Sequence, residues 1–230
     1  MKHLVFLLMS LLVFGAEAQS FFEKAESFFA KHVKDGAVAY ESIKENPSEL
    51  NDLVKEIADL DLSNKRVSPD FIKAFYINAY NLLVIKEVID LYPIYGPLKV
   101  DGFFNGIKHT VMGQEMTLDE LEKGTLYKEF PDARLHFVLV CAAKGCPPIA
   151  AFGYFPDELD KQLTERTKTV LNLEWFVRVK GKKVEISQLF DWYAKDFGEP
   201  KAYINKYRTE KITDSAKISY YQYDWSLNNQ

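Results

Sequence analysis

Long apolar runs are scarce in this chain of 230 residues. The longest, from Leu4 to Phe14, has eleven residues, whereas a helix that spans a bilayer needs about 20. No later segment is both long enough and free enough of charge to cross a membrane. We therefore expect no stable membrane insertion.

Cysteine is also rare, with Cys141 and Cys146 as the two in the sequence. Two cysteines cannot build the dense disulfide framework of small secreted domains. Their spacing is not a zinc signature either, because a structural zinc site needs a second pair of ligands. The sequence predicts no metal and no cofactor.

Neither sign of charge dominates the composition. The chain has 29 Lys and Arg against 33 Asp and Glu, for a net charge of −4, and the two signs are interspersed. A nucleic-acid partner is not expected, because binding to phosphate backbones requires a concentrated basic surface. No repeat, linker or low-complexity stretch interrupts residues 19–230, which favours one globular domain. A chain of this size can bury roughly 70% of its unfolded surface.

The N-terminus has the pattern of a secretory signal peptide. Lys2 precedes the apolar run, and Ala16 and Ala18 are small at the two positions that a signal peptidase reads. We expect residues 1–18 to be removed, so that the exported protein begins at Gln19. This predicts a periplasmic or extracellular location.

Periodicity predicts an α+β fold in which a helical N-terminal half packs on a small mixed β-sheet. Apolar residues recur at helical spacing after Phe21, after Ser48 and from Phe71 to about Leu91. Thr117 to Glu120 forms a capping box for a short helix. Later segments predict a strand at Arg134–Val140, a helix at Pro156–Asn172, a hairpin around Gly181 and a tyrosine-rich strand near the C-terminus.

Four polar residues fall on apolar faces of these predicted elements. They are Asn78 and Asn81 on the long helix, Glu122 on the short helix and His136 on the predicted strand. Taken singly, each is most simply explained as a buried group satisfied by backbone. Taken together, they predict a shared polar pocket, because buried polar groups are tolerated when they meet one another or a ligand.

The two cysteines allow two interpretations. Export and an even cysteine count favour a disulfide, and the four intervening residues contain a glycine that lets the chain turn back. Alternatively, one thiol is a nucleophile with a nearby base. On an extended strand His136 would lie about 16 Å from Cys141 and on the opposite face, which favours a disulfide in the resting protein.

The same residues carry a resemblance to a known family. The motifs are FYINAYN from Phe75, LDELE from Leu118, RLHF from Arg134 and CAAKGCP from Cys141, with flanking matches at 33–40, 189–193 and 223–225. In this order they resemble the domain of unknown function 547 family. Tyr76 and Lys123 stand where many relatives have Trp and His. The resemblance implies no activity, but it implies that the helix asparagines, Glu122, His136 and Cys141 belong to the family pattern.

Two functions remain open at this level. The first is a thiol-dependent hydrolase or acyl transferase that acts on an amide or ester. In it Cys141 or Cys146 attacks, His136 is the base and Glu122 orients the imidazole, while Asn78 or Asn81 holds the oxyanion.

The second is a non-catalytic exported binding domain with a structural disulfide. Its contact surface would come from the exposed members of a C-terminal group of aromatic residues, namely Tyr220, Tyr221, Tyr223 and Trp225. Both functions are compatible with a small-molecule or peptide ligand, and the sequence does not predict an oligomeric state.

Overall fold

The first half of the chain is helical. The computed structural model describes residues 21–230, so the predicted signal peptide and its cleavage point lie outside the described residues. Helix α1 covers residues 21–32, and a two-residue hairpin (β1, Val33–Lys34; β2, Ala37–Val38) follows. Three helices come next: α2 (Tyr40–Glu45), α3 (Ser48–Asp59) and α4 (Pro69–Leu91).

Helix α4 is the central element of the fold. Ser68 caps it by accepting a hydrogen bond from the amide of Phe71, and Pro69 occupies the first turn, where its missing N–H costs nothing. Most of its residues are buried, so both of its sides are covered. The predicted long helix is confirmed.

The middle of the chain forms a hairpin and a series of short helical turns. Strands β3 (Lys108–Val111) and β4 (Gln114–Thr117) pair antiparallel. A π-helix (Glu120–Leu126) runs into α5 (Tyr127–Glu129). The predicted capping box is present, since Thr117 N–H donates to Glu120 at 2.8 Å and Glu120 N–H donates to Thr117 at 3.2 Å.

The predicted strand at Arg134–Val140 is wrong. Residues Ala133–Phe137 form a 3-10 helix, which Asp132 caps by accepting from the amide of Arg134. The next two backbone groups in need of partners, the Val138 carbonyl and the Val140 amide, bond to the side chain of Asn81. A fully apolar run does not distinguish a buried strand from a buried helical turn, and here the partners come from a helix and not from a neighbouring strand.

The C-terminal half adds the sheet. Helix α6 (Leu159–Leu171) precedes the hairpin β5 (Val177–Lys180) and β6 (Lys183–Ser187), and β7 (Lys217–Tyr221) pairs parallel to β6. Between β6 and β7 lie α7 (Leu189–Trp192), α8 (Ala194–Phe197) and α9 (Pro200–Tyr207). The sheet is mixed and the fold is α+β, as predicted.

Two apolar clusters fill the interior. The larger one surrounds α1 and α4, and the smaller one lies between the sheet and helices α6 to α9. Phe137 belongs to the smaller cluster, whereas its chain neighbours Leu135 and Val138 belong to the larger one. The 3-10 helix that carries His136 therefore lies where the two clusters meet. Within residues 21–230, no helix combines the length and apolar character needed to span a membrane.

Candidate functional site

A cavity of about 200 Å³ opens between the π-helix, α4, the segment that carries both cysteines and the C-terminal segment. Its lining includes Tyr80, Glu122, Tyr127, His136, Cys141, Cys146, Trp192, Tyr193, Tyr223 and Trp225. Four of the six residues predicted for the site are therefore brought together here. A larger open groove of about 610 Å³ between α1 and α3 is lined mostly by charged side chains and contains no cysteine or histidine.

The cysteine loop, residues 141–146, is held by the C-terminal segment. Lys144 N–H donates to the carbonyl of Ser226 and Gly145 N–H to that of Asp224, both at 2.8 Å. A side chain at Gly145 would place its Cβ 2.7 Å from the amide nitrogen of Asp224. Glycine is thus required for this close approach of two backbones.

Cys141 is the accessible thiol of the pair. It is half-buried, and its Sγ lies 3.1 Å from the hydroxyl of Tyr223. A hydrogen bond from Cys146, assisted by the one from Tyr223, lowers the pKa of the Cys141 thiol, and this outweighs the opposing effect of burial. These donors stabilise the thiolate without a histidine.

Cys146 lies in a different environment five residues later. It is buried, its Sγ accepts from the amide of Cys141 at 3.2 Å, and burial together with the neighbouring Cys141 raises the pKa of its thiol. Both cysteines are free thiols in the structure. The predicted disulfide is therefore absent from the structure, and both export and the oxidation state of the cysteines after export stay predictions.

Glu122 faces the cavity but does not orient His136. Its carboxylate accepts a hydrogen bond of 2.9 Å from the hydroxyl of Tyr80, and burial raises its pKa although this bond opposes the shift. The predicted Glu122–His136 pair is wrong, because the π-helix directs Glu122 toward α4. A carboxyl group with a raised pKa can serve as a proton donor.

His136 forms the middle of a different chain of hydrogen bonds. Its Nδ1 lies 2.7 Å from the hydroxyl of Tyr127, and its Nε2 lies 2.8 Å from Oδ2 of Asp196. The ring is buried against Tyr193, with 4.0 Å between ring centroids. Burial lowers the pKa of His136 although Asp196 opposes the shift, so the neutral imidazole is favoured.

Asn78 and Asn81 do not line the cavity, and their predicted convergence with Glu122 and His136 is wrong. The amide of Asn78 bonds to both backbone groups of Tyr154, at 2.8 and 2.9 Å. Asn81 donates to the Val138 carbonyl at 2.9 Å and accepts from the Val140 amide at 3.0 Å. Both asparagines fix loops to α4, and neither lines the cavity in which an oxyanion would form. For both asparagines the simpler explanation is correct, namely that backbone groups supply the hydrogen-bond partners of the buried side chain.

Aromatic rings form one wall of the cavity. Trp192 stacks on Trp225 with 5.8 Å between centroids, and Tyr223 packs against both. The predicted aromatic surface is only partly present, because Tyr220 and Tyr221 belong to β7 and do not line the cavity, and Tyr221 is buried. Trp192 is 45% exposed and gives a ligand an accessible ring.

Sequence reasoning missed Tyr80, Tyr127, Asp196 and the role of Tyr223. Three of them are tyrosines, whose rings usually pack in cores. Asp196 is an exposed carboxylate, and no sequence pattern around it distinguishes it from other surface acids. The available signal was Tyr80 on α4, which directly precedes Asn81 within FYINAYN.

The comparisons with known proteins agree with the motifs. Residues 65–171 match the family model described as "Protein of unknown function, DUF547". The resemblance to this family is confirmed over residues 65–171, and the flanking matches at 33–40, 189–193 and 223–225 stay predictions. Comparison with curated proteins and with solved structures found no match.

The DUF547 match contains one side of the cavity. It includes Tyr80, Glu122, Tyr127, His136 and both cysteines, whereas the aromatic wall and Asp196 come from later residues. In the part of the chain that the structure describes, no three His, Cys, Asp or Glu side chains are grouped to hold a metal ion. The chemistry that these side chains can perform is nucleophilic attack and proton transfer.

Proposed function

We propose that this protein is an exported thiol-dependent hydrolase or acyl transferase with Cys141 as its nucleophile. The observation that carries the proposal is the environment of the Cys141 thiol, which lies half-buried on the cavity wall beside two hydrogen-bond donors that lower its pKa. A thiolate with a lowered pKa is the reactive form in enzymes that form thioester intermediates.

In this proposal the reaction has two steps. The Cys141 thiolate attacks the carbonyl of an amide or ester, and a neutral Glu122 protonates the leaving group. A thioester on Cys141 results, which water hydrolyses or an acceptor resolves. Cys146 and Tyr223 support the thiolate by hydrogen bonds, and the signal-peptide pattern of residues 1–18 supports export.

The test uses 4-nitrophenyl acetate as a general acyl donor. We expect wild-type protein to release 4-nitrophenol and to gain one acetyl group on Cys141, as measured by intact mass and peptide mapping. Cys141→Ser should abolish both signals, whereas Cys146→Ala should retain acylation at a reduced rate. Acylation that is equal in Cys141→Ser and wild type would contradict the proposal.

The aromatic wall favours a second candidate, a non-catalytic binding domain with a Cys141–Cys146 disulfide. Trp192 and Trp225 give such a domain a stacking surface for a planar or apolar ligand group. Titration of free thiols in protein purified from the exported fraction separates the two functions. Two free thiols support the enzyme, and a bonded pair with no acylation after reduction supports the binding domain.

A further inference from the structure

We propose that Tyr127, His136 and Asp196 form a proton relay that activates the water which hydrolyses the Cys141 thioester. This inference rests on the proposed function and adds to it the residues that carry out its second step. The relay is a linear series of a phenol, an imidazole and a carboxylate, with Tyr127 at the cavity and Asp196 at the protein surface.

The geometry gives each group a definite role. Asp196 is 45% exposed, and its carboxylate lies 2.8 Å from Nε2 of His136. A carboxylate accepts hydrogen bonds, which places the imidazole proton on that nitrogen. Nδ1 is then the acceptor, and the hydroxyl of Tyr127 donates to it across 2.7 Å. The oxygen of Tyr127 keeps its lone pairs, and the residue lines the same cavity as Cys141.

The surroundings keep this series in place. The imidazole packs against the rings of Tyr127, Tyr193 and Phe197, at centroid distances of 4.7, 4.0 and 5.0 Å. Such packing leaves the ring little freedom to rotate. Burial keeps the imidazole neutral, and Asp196 stabilises the imidazolium when it forms. The same division of roles between a carboxylate and an imidazole operates in catalytic triads.

The relay does not act on Cys141 directly. His136 makes its two ring-nitrogen bonds to Tyr127 and Asp196, and the Cys141 thiolate is supported by Cys146 and Tyr223 instead. Acylation therefore needs no histidine. Hydrolysis of the thioester does need a base, because water is a poor nucleophile. It needs no acid, because the sulfur of Cys141 leaves as a thiolate.

In the hydrolysis step the relay takes one proton from the attacking water. The water oxygen forms a bond to the thioester carbonyl carbon while one of its protons passes to the Tyr127 oxygen, and the Tyr127 proton passes to Nδ1 of His136. The tetrahedral intermediate then collapses, the carbon–sulfur bond breaks and its electron pair returns to Cys141 as thiolate. The products are the carboxylic acid, the Cys141 thiolate and a protonated His136, which releases its proton to solvent.

The experiment separates acylation from deacylation. The protein is mixed with 4-nitrophenyl acetate, and the initial burst of 4-nitrophenol, the steady-state rate and the mass of the acetyl-enzyme are recorded. We expect Tyr127→Phe to keep the burst and to lower the steady-state rate about 100-fold, the size of a general-base contribution, so that acetyl-enzyme accumulates. Asp196→Asn should show the same pattern to a smaller extent, and Asp196→Glu should recover part of the rate.

Two controls make the result specific. Alkylation of Cys141 by iodoacetamide should proceed at the wild-type rate in Tyr127→Phe, which shows that the thiol and its surroundings are intact. Tyr203→Phe makes the same chemical change in the neighbouring apolar cluster outside the cavity and should deacylate like wild type.

Each remaining outcome is decisive. If acetyl-enzyme forms and Tyr127→Phe hydrolyses it at the wild-type rate, or if Tyr203→Phe is slowed equally, the relay is overturned while the proposed function stands. If wild-type protein forms no acetyl group on Cys141, the proposed function falls and the relay falls with it.

Discussion

At the scale of single residues, Cys141 and Cys146 show how environment separates two identical side chains. Cys141 lies half-buried on the cavity wall with a hydroxyl beside it, whereas Cys146 is buried beneath the loop. Hydrogen bonds lower the pKa of Cys141, and burial raises that of Cys146. The pair thus has one thiol suited to attack and one suited to donate a hydrogen bond.

This asymmetry predicts the pH dependence of alkylation. Because the pKa of Cys141 is lowered, its reaction with iodoacetamide should reach half of its maximal rate at a lower pH than that of an ordinary cysteine, whose pKa is about 8.5. Tyr223→Phe and Cys146→Ala each remove a donor to the thiolate. Each should move the midpoint to higher pH and, below that midpoint, lower the rate about tenfold. The measurement is the rate of mass increase on Cys141 between pH 5 and 9.

Tyr95→Phe is the matched control for the loss of a phenol. Tyr95 is 88% exposed, so its hydroxyl contributes nothing to the thiol. An unchanged profile in Tyr223→Phe, equal to that of Tyr95→Phe, would contradict the assignment of Tyr223 as a donor.

At the scale of elements, α4 organises the site through its asparagines although neither lines the cavity. Asn81 supplies the partners of Val138 and Val140, the residues that lead into Cys141. Asn81→Ala leaves a buried carbonyl and a buried amide without partners, so we expect the free energy of unfolding to fall by about 3 kcal/mol. Urea denaturation measures the change. Asn64→Ala, at an exposed position, should stay within about 0.5 kcal/mol of wild type, and an equal loss in both variants would refute this role of Asn81.

The contact between the cysteine loop and the C-terminal segment is a second element-level feature. In Gly145→Ala the added Cβ would meet the amide of Asp224 at 2.7 Å and the ring of Tyr223 at 2.9 Å. We expect a loss of about 2 kcal/mol in stability from overpacking, together with slower alkylation of Cys141 because Tyr223 is displaced.

Gly124→Ala is the comparison, because no atom lies within 4 Å of its added Cβ. It should be neutral or slightly stabilising, since Ala is the better helix former. Unfolding and alkylation are measured on both variants, and a Gly145→Ala protein that matches Gly124→Ala in both would contradict the proposed contact.

Local signals predicted the elements well where one short-range interaction dominates. The capping box at Thr117 and the start of α4 at Ser68 depend on residues within three or four positions. The strand at Arg134–Val140 failed because the partners of its backbone come from Asn81, more than fifty residues away. A run of apolar residues indicates burial, but it does not indicate which element supplies the hydrogen-bond partners of its backbone.

At the scale of the whole molecule, the site is built from contacts that no local pattern encodes. His136 meets Asp196 across 60 positions of sequence, and Cys141 meets Tyr223 across 82. Sequence reasoning selected Glu122, His136 and the two cysteines because they are polar or reactive residues in apolar surroundings. It could not select their partners, because those partners are supplied by α4, by α8 and by the C-terminal segment, which are distant in sequence.

The ion pairs of Asp132 and His136 predict how the stability of the whole molecule depends on pH. Burial favours protonation of Asp132, but hydrogen bonds from Arg134 and Lys73 outweigh it and hold the pKa of Asp132 well below its usual range. A carboxyl group with a lowered pKa stabilises the fold above its unfolded pKa of about 3.9, and this contribution is lost as the pH falls below that value. Burial also lowers the pKa of His136, although Asp196 opposes the shift. Below about pH 6.5 the unfolded chain therefore binds a proton at His136 more readily than the folded protein does. Because of this difference, the free energy of unfolding falls there as well.

Wild-type protein should thus lose stability in two stages on acidification, the first below about pH 6.5 and the second below about pH 4. Asp132→Asn leaves the buried Lys73 without a carboxylate partner and Arg134 with Asp160 alone, so we expect it to be about 3 kcal/mol less stable than wild type at pH 7. The difference should shrink at pH 3, where the wild-type carboxylate is also losing its advantage, while the stage near pH 6 persists because His136 is unchanged. Urea unfolding of both proteins at pH 3, 5 and 7 measures these changes. A difference between the two proteins that is the same at all three pH values would show that Asp132 acts through packing and not through its charge.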